Sequence, residues 1–257
     1  MSNRNPVRFV GAGPGAPDLL TVRAVRAIEG CDRLLYAGSL VSPAVVDLAP
    51  PQAERIDTAN LQLEEIVALL AEGHRRGLRT VRLHSGDLSI YSALGEQLSR
   101  LRQLGVEVEI VPGVPAFAAA AAALGRELTV PGVGQTVILC RYGKRSTPLP
   151  PGEQLEELAA HQTTLVVHLG GHALRELEAR LLPAYGPHAP AAVVAYASWP
   201  QEVVVEGPLG GIAERAQAAG VRRNALLIVG RALAGEGGLR SHLYSPQRLA
   251  GRAYGSD

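Results

Sequence analysis

The sequence predicts an α/β protein of two lobes, and three observations carry that prediction. Short β-rich runs alternate with helically patterned segments, a glycine-rich turn follows the first of those runs, and Pro112-Gly113 with an alanine-dense stretch behind it punctuates the middle of the chain. A chain of 257 residues that is 47% hydrophobic has the material for a large core.

Val7–Val10 reads as a short buried strand that runs into Gly11-Ala12-Gly13-Pro14-Gly15-Ala16. Thr21 is placed to cap a helix reaching about Glu29, and Arg33–Tyr36 follows as a strand. Glu54–Asp57 is a further short strand. Leu63, Ile66, Val67, Leu70 and Ala71 then recur at helical spacing, with Gly77 marking the helix end. Thr80–Leu83 reads as a strand feeding His84-Ser85-Gly86-Asp87. A helix over Ser89–Leu104 and a strand over Val106–Val111 complete a series for which a mostly parallel sheet is the simplest topology. Val114–Leu124, with alanine at most positions, reads as a closely packed helix bridging the two halves.

Beyond it, strands at Thr136–Cys140, Thr164–Leu169, Ala191–Ala197, Val203–Glu206 and Ala225–Val229 alternate with helices near Glu153–His161, Ala173–Leu182 and Gly210–Ala219. The two strands flanking Trp199-Pro200-Gln201 suit an antiparallel pair, so the second half is α/β but more mixed. Tyr142–Gly152 reads as a surface loop and Ala234–Asp257 as a loose tail. The resulting division is 1–113, 114–245 and a tail at 246–257.

A formal net charge of +1 gives no argument for nucleic acid or an anionic membrane. Of the 25 basic residues only Lys144 is lysine, and arginine is the better bidentate partner for carboxylates. Cys31 and Cys140 lie far apart without a C-x-x-C companion, which suits a reducing cytosol and two small buried hydrophobes. No apolar signal core opens the chain and no run approaches the length of a membrane span, so a cytoplasmic protein is expected.

Read literally, Gly11-x-Gly13-x-x-Ala16 fits a dinucleotide-binding turn. Its chemistry does not. Pro14 and Pro17 remove backbone N–H groups that would hold a diphosphate, and the tip of the second strand, Leu34 to Ser39, carries no carboxylate for a ribose. No lysine completes a P-loop either. Asp87 is the carboxylate nearest a strand tip in these loops, and it reads either as a ligand-binding group or as the N-cap of the Ser89–Leu104 helix. His168 and His172 have metal-ligand spacing, yet Gly170-Gly171 interrupts any helix that would align them, so no metal is expected. Tyr36 and Tyr91 suit packing more than acid or base work.

Five ordered blocks resemble the tetrapyrrole methyltransferases that use S-adenosylmethionine: VGAGPGAPDLLT, LLYAGSLVS, LHSGDLSIYSALGEQ, VPGVPAFAAAAAALGRELTVPGVGQTVIL and NALLIVGRAL. The similarity is strongest to members that methylate precorrins in cobalamin ring synthesis. Gly86-Asp87-Leu88 stands where the broader family usually has Gly-Asp-Pro, a form that resembles the oxygen-dependent, late-cobalt route.

The resemblance implies two α/β lobes with the methyl donor in a cleft between them, a tetrapyrrole as the acceptor, and a homodimer. Carried over residue by residue, it implies cofactor contacts at Pro14, at Gly86, Asp87 and Ile90, at Pro115 and Ala116, and at Leu169, Ala197 and Ala225. Tyr36, Ser39 and Arg141 are candidates for the acceptor side, to manage a proton or, for Arg141, to meet the acceptor's carboxylates. A nicotinamide oxidoreductase and a non-catalytic carrier are the rival classes that the glycine turn alone leaves open.

Overall fold

In the computed structural model, which describes residues 5–143, 148–168, 170–235 and 238–239, the chain divides into two α/β units. The first takes the chain up to Ala119 together with Ala197–Gln201, and the second takes Ala120–Tyr196 and the chain from Glu202 onward.

The first unit is built on five parallel strands: β1 (Val7–Gly11), β2 (Arg33–Tyr36), β3 (Glu54–Asp57), β4 (Thr80–His84) and β5 (Val108–Val111), in the order β3-β2-β4-β1-β5. Helices α1 (Val22–Glu29) and α2 (Pro43–Val46) cover one face, where Ala24, Ile28, Val45 and Val46 pack on Val10, Leu34, Val81 and Leu83. Helices α3 (Leu63–Arg75) and α4 (Leu94–Gln103) cover the other, with Ile66, Val67, Leu70 and Leu101 against Val7, Phe9 and Leu35. Burying these side chains on both faces supplies the main stabilisation, about 1.5–3 kcal/mol for each large aliphatic residue.

Local chemistry sets the element ends. Thr21 caps α1 by accepting the Ala24 amide at 3.2 Å, and Gly77 follows α3 at a φ of +72°. The buried Arg33 side chain ties β2 to its surroundings through Glu54, Glu72 and the Leu69 carbonyl, so its charge is compensated inside the fold.

This topology decides where a ligand can gather. From β1 the chain leaves to α1 on one face, and from the adjacent β4 it leaves to α4 on the opposite face. Neighbouring strands whose connections diverge in this way open a crevice at their carboxyl ends.

The second unit has strands β6 (Val137–Arg141), β7 (Thr164–His168), β8 (Pro190–Ala195), β9 (Val203–Pro208) and β10 (Ala225–Val229), ordered β6-β7-β10-β8-β9. β6 and β7 run parallel, and the other neighbouring pairs run antiparallel, including β8 with β9. Helices α6 (Leu155–Ala159), α7 (Leu174–Tyr185) and α8 (Ile212–Ala218) contribute Leu155, Leu177, Leu181, Ile212 and Ala216 to one core with Leu165, Val167, Val193 and Leu227. The boundary between the units falls inside α5 (Ala116–Ala123).

Beside end shifts of up to two residues in elements such as β5, β9, α5 and α6, three departures from the sequence reading stand out. α4 begins at Leu94 rather than Ser89, because the side chain of Asp87 captures the Ser89 amide at 2.9 Å and Tyr91 and Ala93 both adopt a φ of +52°. Asp87 therefore does not cap that helix. Its N-cap position is Ala93, without a side-chain cap. The strand expected to run to Ala197 ends at Ala195, since Tyr196 and Ser198 turn the chain at φ of +51° and +66°. α2, four residues opened by Pro43, was not anticipated. Leu169 and the 246–257 tail lie outside the described residues.

Candidate functional site

The loops leaving β4, β1 and β5 meet shoulder to shoulder in the first unit, and glycine makes the approach possible. A Cβ on Gly11 would lie 2.5 Å from the Gly113 nitrogen, and one on Gly113 would lie 2.2 Å from the Gly86 oxygen. No side chain fits at either place. The β1 and β4 loops are then stitched by an isolated bridge, Gly13 N–H to the Gly86 oxygen at 3.1 Å and Gly86 N–H to the Gly13 oxygen at 2.8 Å. Gly13 and Gly86 hold φ of +68° and +66°, conformations that an L side chain strains.

Asp87 ties the third loop in. One carboxylate oxygen accepts the Gly113 amide at 2.8 Å, while the other accepts the amide and hydroxyl of Ser89. Burial pushes this carboxyl upward, but the Ser89 hydroxyl and the Gly113 and Ser89 amides outweigh it and hold Asp87 below the ordinary carboxylate range. The carboxylate is thus ionised, and it fixes the β4 and β5 loops to each other.

The β1 turn has spent three of its amides within the protein. Ala12 N–H goes to the His84 oxygen at 2.7 Å, Gly13 N–H to Gly86, and Ala16 N–H to the Ser198 hydroxyl at 3.1 Å, while Pro14 has none to give. Such a turn lacks the array of outward-facing amides that cradles a diphosphate. Nor is there a lysine or arginine in residues 11–16, 84–91 or 112–117, where Asp87 is the one charged group. A nicotinamide dinucleotide would meet an anion and no donor array. A ligand bearing a positive centre and no phosphate meets complementary charge, with apolar surface from Ile90, Pro115 and Ala116 nearby in the same loops.

Of the residues singled out from sequence, Pro14, Gly86, Asp87, Ile90, Pro115, Ala116 and Ala197 all belong to the first unit. Gly86 abuts Pro115 and Ala116, whose nearest atoms would be 3.7 and 3.6 Å from an added Cβ. Tyr36 ends β2, the strand beside β4, and its carbonyl accepts the Thr58 amide and hydroxyl at 2.8 and 3.0 Å. Ser39 is exposed in the following loop, which Asp57 secures by accepting the Gly38 amide at 2.9 Å. Ala225 and Arg141 lie in the second unit, Ala225 opening β10 opposite Ala195, and Arg141 ending β6 opposite His168. Leu169 is outside the described residues.

His168 is a half-buried residue whose pKa burial pulls down to about 4, and the His172 ring meets Tyr142 edge-on with centroids 5.4 Å apart. Among the described residues no group of three His, Cys, Asp or Glu side chains is arranged to hold a metal. The second unit also carries an open pocket of about 620 Å³ between the start of α7 and α8, lined by Tyr142, His172, Arg175 and Gln217 among others. None of the cofactor or acceptor residues implied by the resemblance lines it.

Sequence reasoning passed over three contributors. Trp199, placed only in a turn between strands, donates its indole N–H to the Pro14 carbonyl at 2.7 Å, and Ser198 takes the Ala16 amide. Gly113, read as punctuation, is the closest backbone approach in the site. The signal available was the isolation of a single tryptophan in a chain with only two phenylalanines.

Residues 6–213 match the family described as Tetrapyrrole (Corrin/Porphyrin) Methylases. The chain is 53% identical over 242 residues to a precorrin-4 C(11)-methyltransferase of Rhodococcus erythropolis, covering 94% of this chain and 97% of that one. Among solved structures it superposes on a cobalt precorrin-4 methyltransferase of cobalamin biosynthesis with a TM-score of 0.86 at 38% identity, covering 89% of this chain and 95% of the other. It also superposes on a uroporphyrin-III C-methyl transferase of Thermus thermophilus complexed with S-adenyl homocysteine, with a TM-score of 0.75 at 33% identity and coverage of 90% and 100%.

Proposed function

The chain belongs to the tetrapyrrole (corrin/porphyrin) methylases, and from that membership and the loop chemistry we infer that it transfers a methyl group from S-adenosylmethionine to carbon 11 of precorrin-4 in cobalamin biosynthesis. The observation that carries the donor assignment is the β1 turn itself, whose Ala12, Gly13 and Ala16 amides are committed internally and beside which stands the ionised Asp87 carboxylate. The carbon-11 assignment is supported by the 53% identity to a protein of that activity across nearly the whole of both chains. The metal-free acceptor is favoured because the cobalt-precorrin relative of known structure is more distant, at 38%.

When bound, S-adenosylmethionine supplies a methyl group on a sulfonium, already activated toward attack by a ring carbon, and S-adenosylhomocysteine departs. Pro14, Gly86, Asp87, Ile90, Pro115, Ala116 and Ala197 would hold it. Gly86 and Gly13, free of side chains, let backbone groups come close to the ligand, and Asp87 keeps the β4 and β5 loops in register while its charge favours a cationic guest. Ile90, Pro115 and Ala116 exclude water, which strengthens that attraction. The protein's main task is to align two reactants, a contribution of up to roughly 7–11 kcal/mol. Tyr36, Ser39 and Arg141 are proposed for the acceptor, without a choice among them for handling its proton. The reading includes a homodimer acting in the cytoplasm, as in the family, and sedimentation of the purified protein tests the assembly.

The test is incubation with methyl-labelled S-adenosylmethionine and a panel of precorrins, with and without cobalt, locating the label by NMR. Label at carbon 11 of metal-free precorrin-4 is expected. Label on another carbon, or transfer only to the cobalt form, overturns the acceptor assignment, and NADH binding without methyl transfer returns the protein to the oxidoreductase class.

A further inference from the structure

Three consecutive residues of the β1 turn are gripped by one short segment. The Pro14 carbonyl accepts the Trp199 indole N–H at 2.7 Å, and the Ala16 amide donates to the Ser198 hydroxyl oxygen at 3.1 Å. Between them, Gly15 leaves its Cβ position to the indole, since an added Cβ would lie 2.1 Å from Cδ1 and 2.3 Å from Nε1. Carbonyl, α-carbon and amide of successive residues are each engaged, across 182 to 185 positions of sequence. Ser198 holds a φ of +66°, where a residue with a Cβ is strained. A conformation of that kind persists when its surroundings determine it, and here both flanking bonds reach the same turn.

We propose that Ser198 and Trp199 form a clasp that presets the β1 turn for the methyl donor, which makes both of them positioning residues. The proposal rests on the reading of that turn as part of the donor site. Prolines 14 and 17 stiffen the turn from within, and the clasp fixes it from outside. A turn held before the ligand arrives loses less freedom when the ligand binds, so the clasp acts on affinity for the donor. It has no role in the transfer step, because neither side chain is needed to move a proton or to stabilise charge there.

Two variants separate positioning from general stability. Trp199→Phe keeps an aromatic ring and deletes the N–H, and Ser198→Gly deletes the hydroxyl while relieving the positive φ. If Ser198 were merely structural, the glycine variant would leave donor binding untouched.

The experiment measures S-adenosylhomocysteine binding by titration calorimetry, thermal unfolding, and steady-state kinetics for the unaltered protein and both variants. Each variant is expected to weaken binding by about 2- to 13-fold, the worth of one neutral hydrogen bond. The KM for S-adenosylmethionine rises with it. Turnover at saturating donor and the KM for the tetrapyrrole stay as in the unaltered protein, and Ser198→Gly unfolds within about 2 °C of it. Equal binding by all three proteins overturns the clasp and spares the donor assignment. So does a loss of turnover at unchanged affinity. Failure of the unaltered protein to bind S-adenosylhomocysteine overturns the donor assignment, and the clasp falls with it. Should Trp199→Phe not fold, Ser198→Gly alone decides.

Discussion

Replacing Gly113 with alanine tests the claim that three strand exits are packed backbone to backbone. The new Cβ would lie 2.2 Å from the Gly86 oxygen, 2.8 Å from the Gly11 α-carbon and 2.9 Å from its carbonyl carbon. All three are main-chain atoms, so no side chain can swing away. Relief requires the Gly86 carbonyl to retreat by about 1 Å to reach ordinary contact. That same oxygen accepts the Gly13 amide, so the bridge between the β1 and β4 loops is lost as well. Overpacking of this kind costs about 1–3 kcal/mol and the broken bond about 1 kcal/mol more, a loss of roughly 2–4 kcal/mol. For a chain of this size each kcal/mol moves the melting temperature by about 2–4 °C, so a drop of roughly 5–15 °C is expected. Activity suffers further, since a misplacement of about 1 Å at reacting groups costs on the order of 100-fold. Thermal unfolding by circular dichroism and methyl-transfer kinetics on the same preparation provide the assay. A melting temperature within about 1 °C of the parent, with kcat/KM unchanged, would refute the packing argument.

Gly95→Ala makes the opposite expectation: an added Cβ near the start of α4 meets no atom within 4 Å, so the variant should gain about 0.5–1 kcal/mol in urea unfolding, and any loss counts against the α4 assignment. Stability should also fall on mild acidification. His84 is pulled to about 4 by burial and by the neighbouring Arg82, and His168 to about 4 by burial, so the folded state resists protons that the unfolded chain takes up below about 6.5. Their contribution is complete above pH 6.5 and is lost as pH falls toward 4, by about 1 kcal/mol per histidine between pH 6.5 and about 5.5; identical urea midpoints at pH 7.5 and 5.5 would contradict it. Burial raises the Cys31 thiol to about 11, with Asp32 adding to it, and the Cys140 thiol to about 12, so neither should react with a disulfide reagent at pH 8 until the protein unfolds. Rapid modification of the folded protein would show that these thiols are reachable.

Much of the fold was legible because local patterns and the tertiary structure agree. The strand Arg33–Tyr36 is marked by Leu34 and Leu35 between turn formers, and its bounds in the structure coincide with that reading, as do those of the more polar strand Glu54–Asp57. The Thr21 cap is equally local, an oxygen three residues from the amide it accepts. Where the reading failed, the deciding partner was remote. Asp87 followed by Ser89 resembles the start of a helix, but Gly113, 26 residues on, engages the second carboxylate oxygen, and the chain passes through turns and bends until Leu94. α2 was too short for any periodicity to announce it. Trp199-Pro200-Gln201 reads as the link between two strands, which it is, and nothing in the local residues says that Ser198 and Trp199 also grip Ala16 and Pro14. The site residues taken from the resemblance fall where strand ends converge in the first unit, while those of the second unit could not have been ordered from spacing alone.

The glycine turn shows why a motif needs its hydrogen bonds before it means anything. Gly11, Gly13 and Ala16 satisfy the dinucleotide pattern, and the β1–turn–α1 geometry is also the one that pattern describes. In a phosphate-binding turn the amides face outward and the helix dipole adds positive potential. Here Ala12, Gly13 and Ala16 direct their amides to His84, Gly86 and Ser198, and a prolyl nitrogen stands between them. The backbone shape is kept while its electrostatic sign is changed. Beside the turn stands the Asp87 carboxylate, held ionised by three donors, so the potential it offers to a ligand is negative. Adding an outward-facing amide would not restore phosphate binding, because Asp87 would still oppose it; removing Asp87 would free the Gly113 amide and unfasten the β4 and β5 loops together. Charge preference and loop geometry are therefore carried by the same side chain, and Asp87→Asn, which retains the acceptor oxygen for one amide but not the charge, is the substitution that pulls them apart.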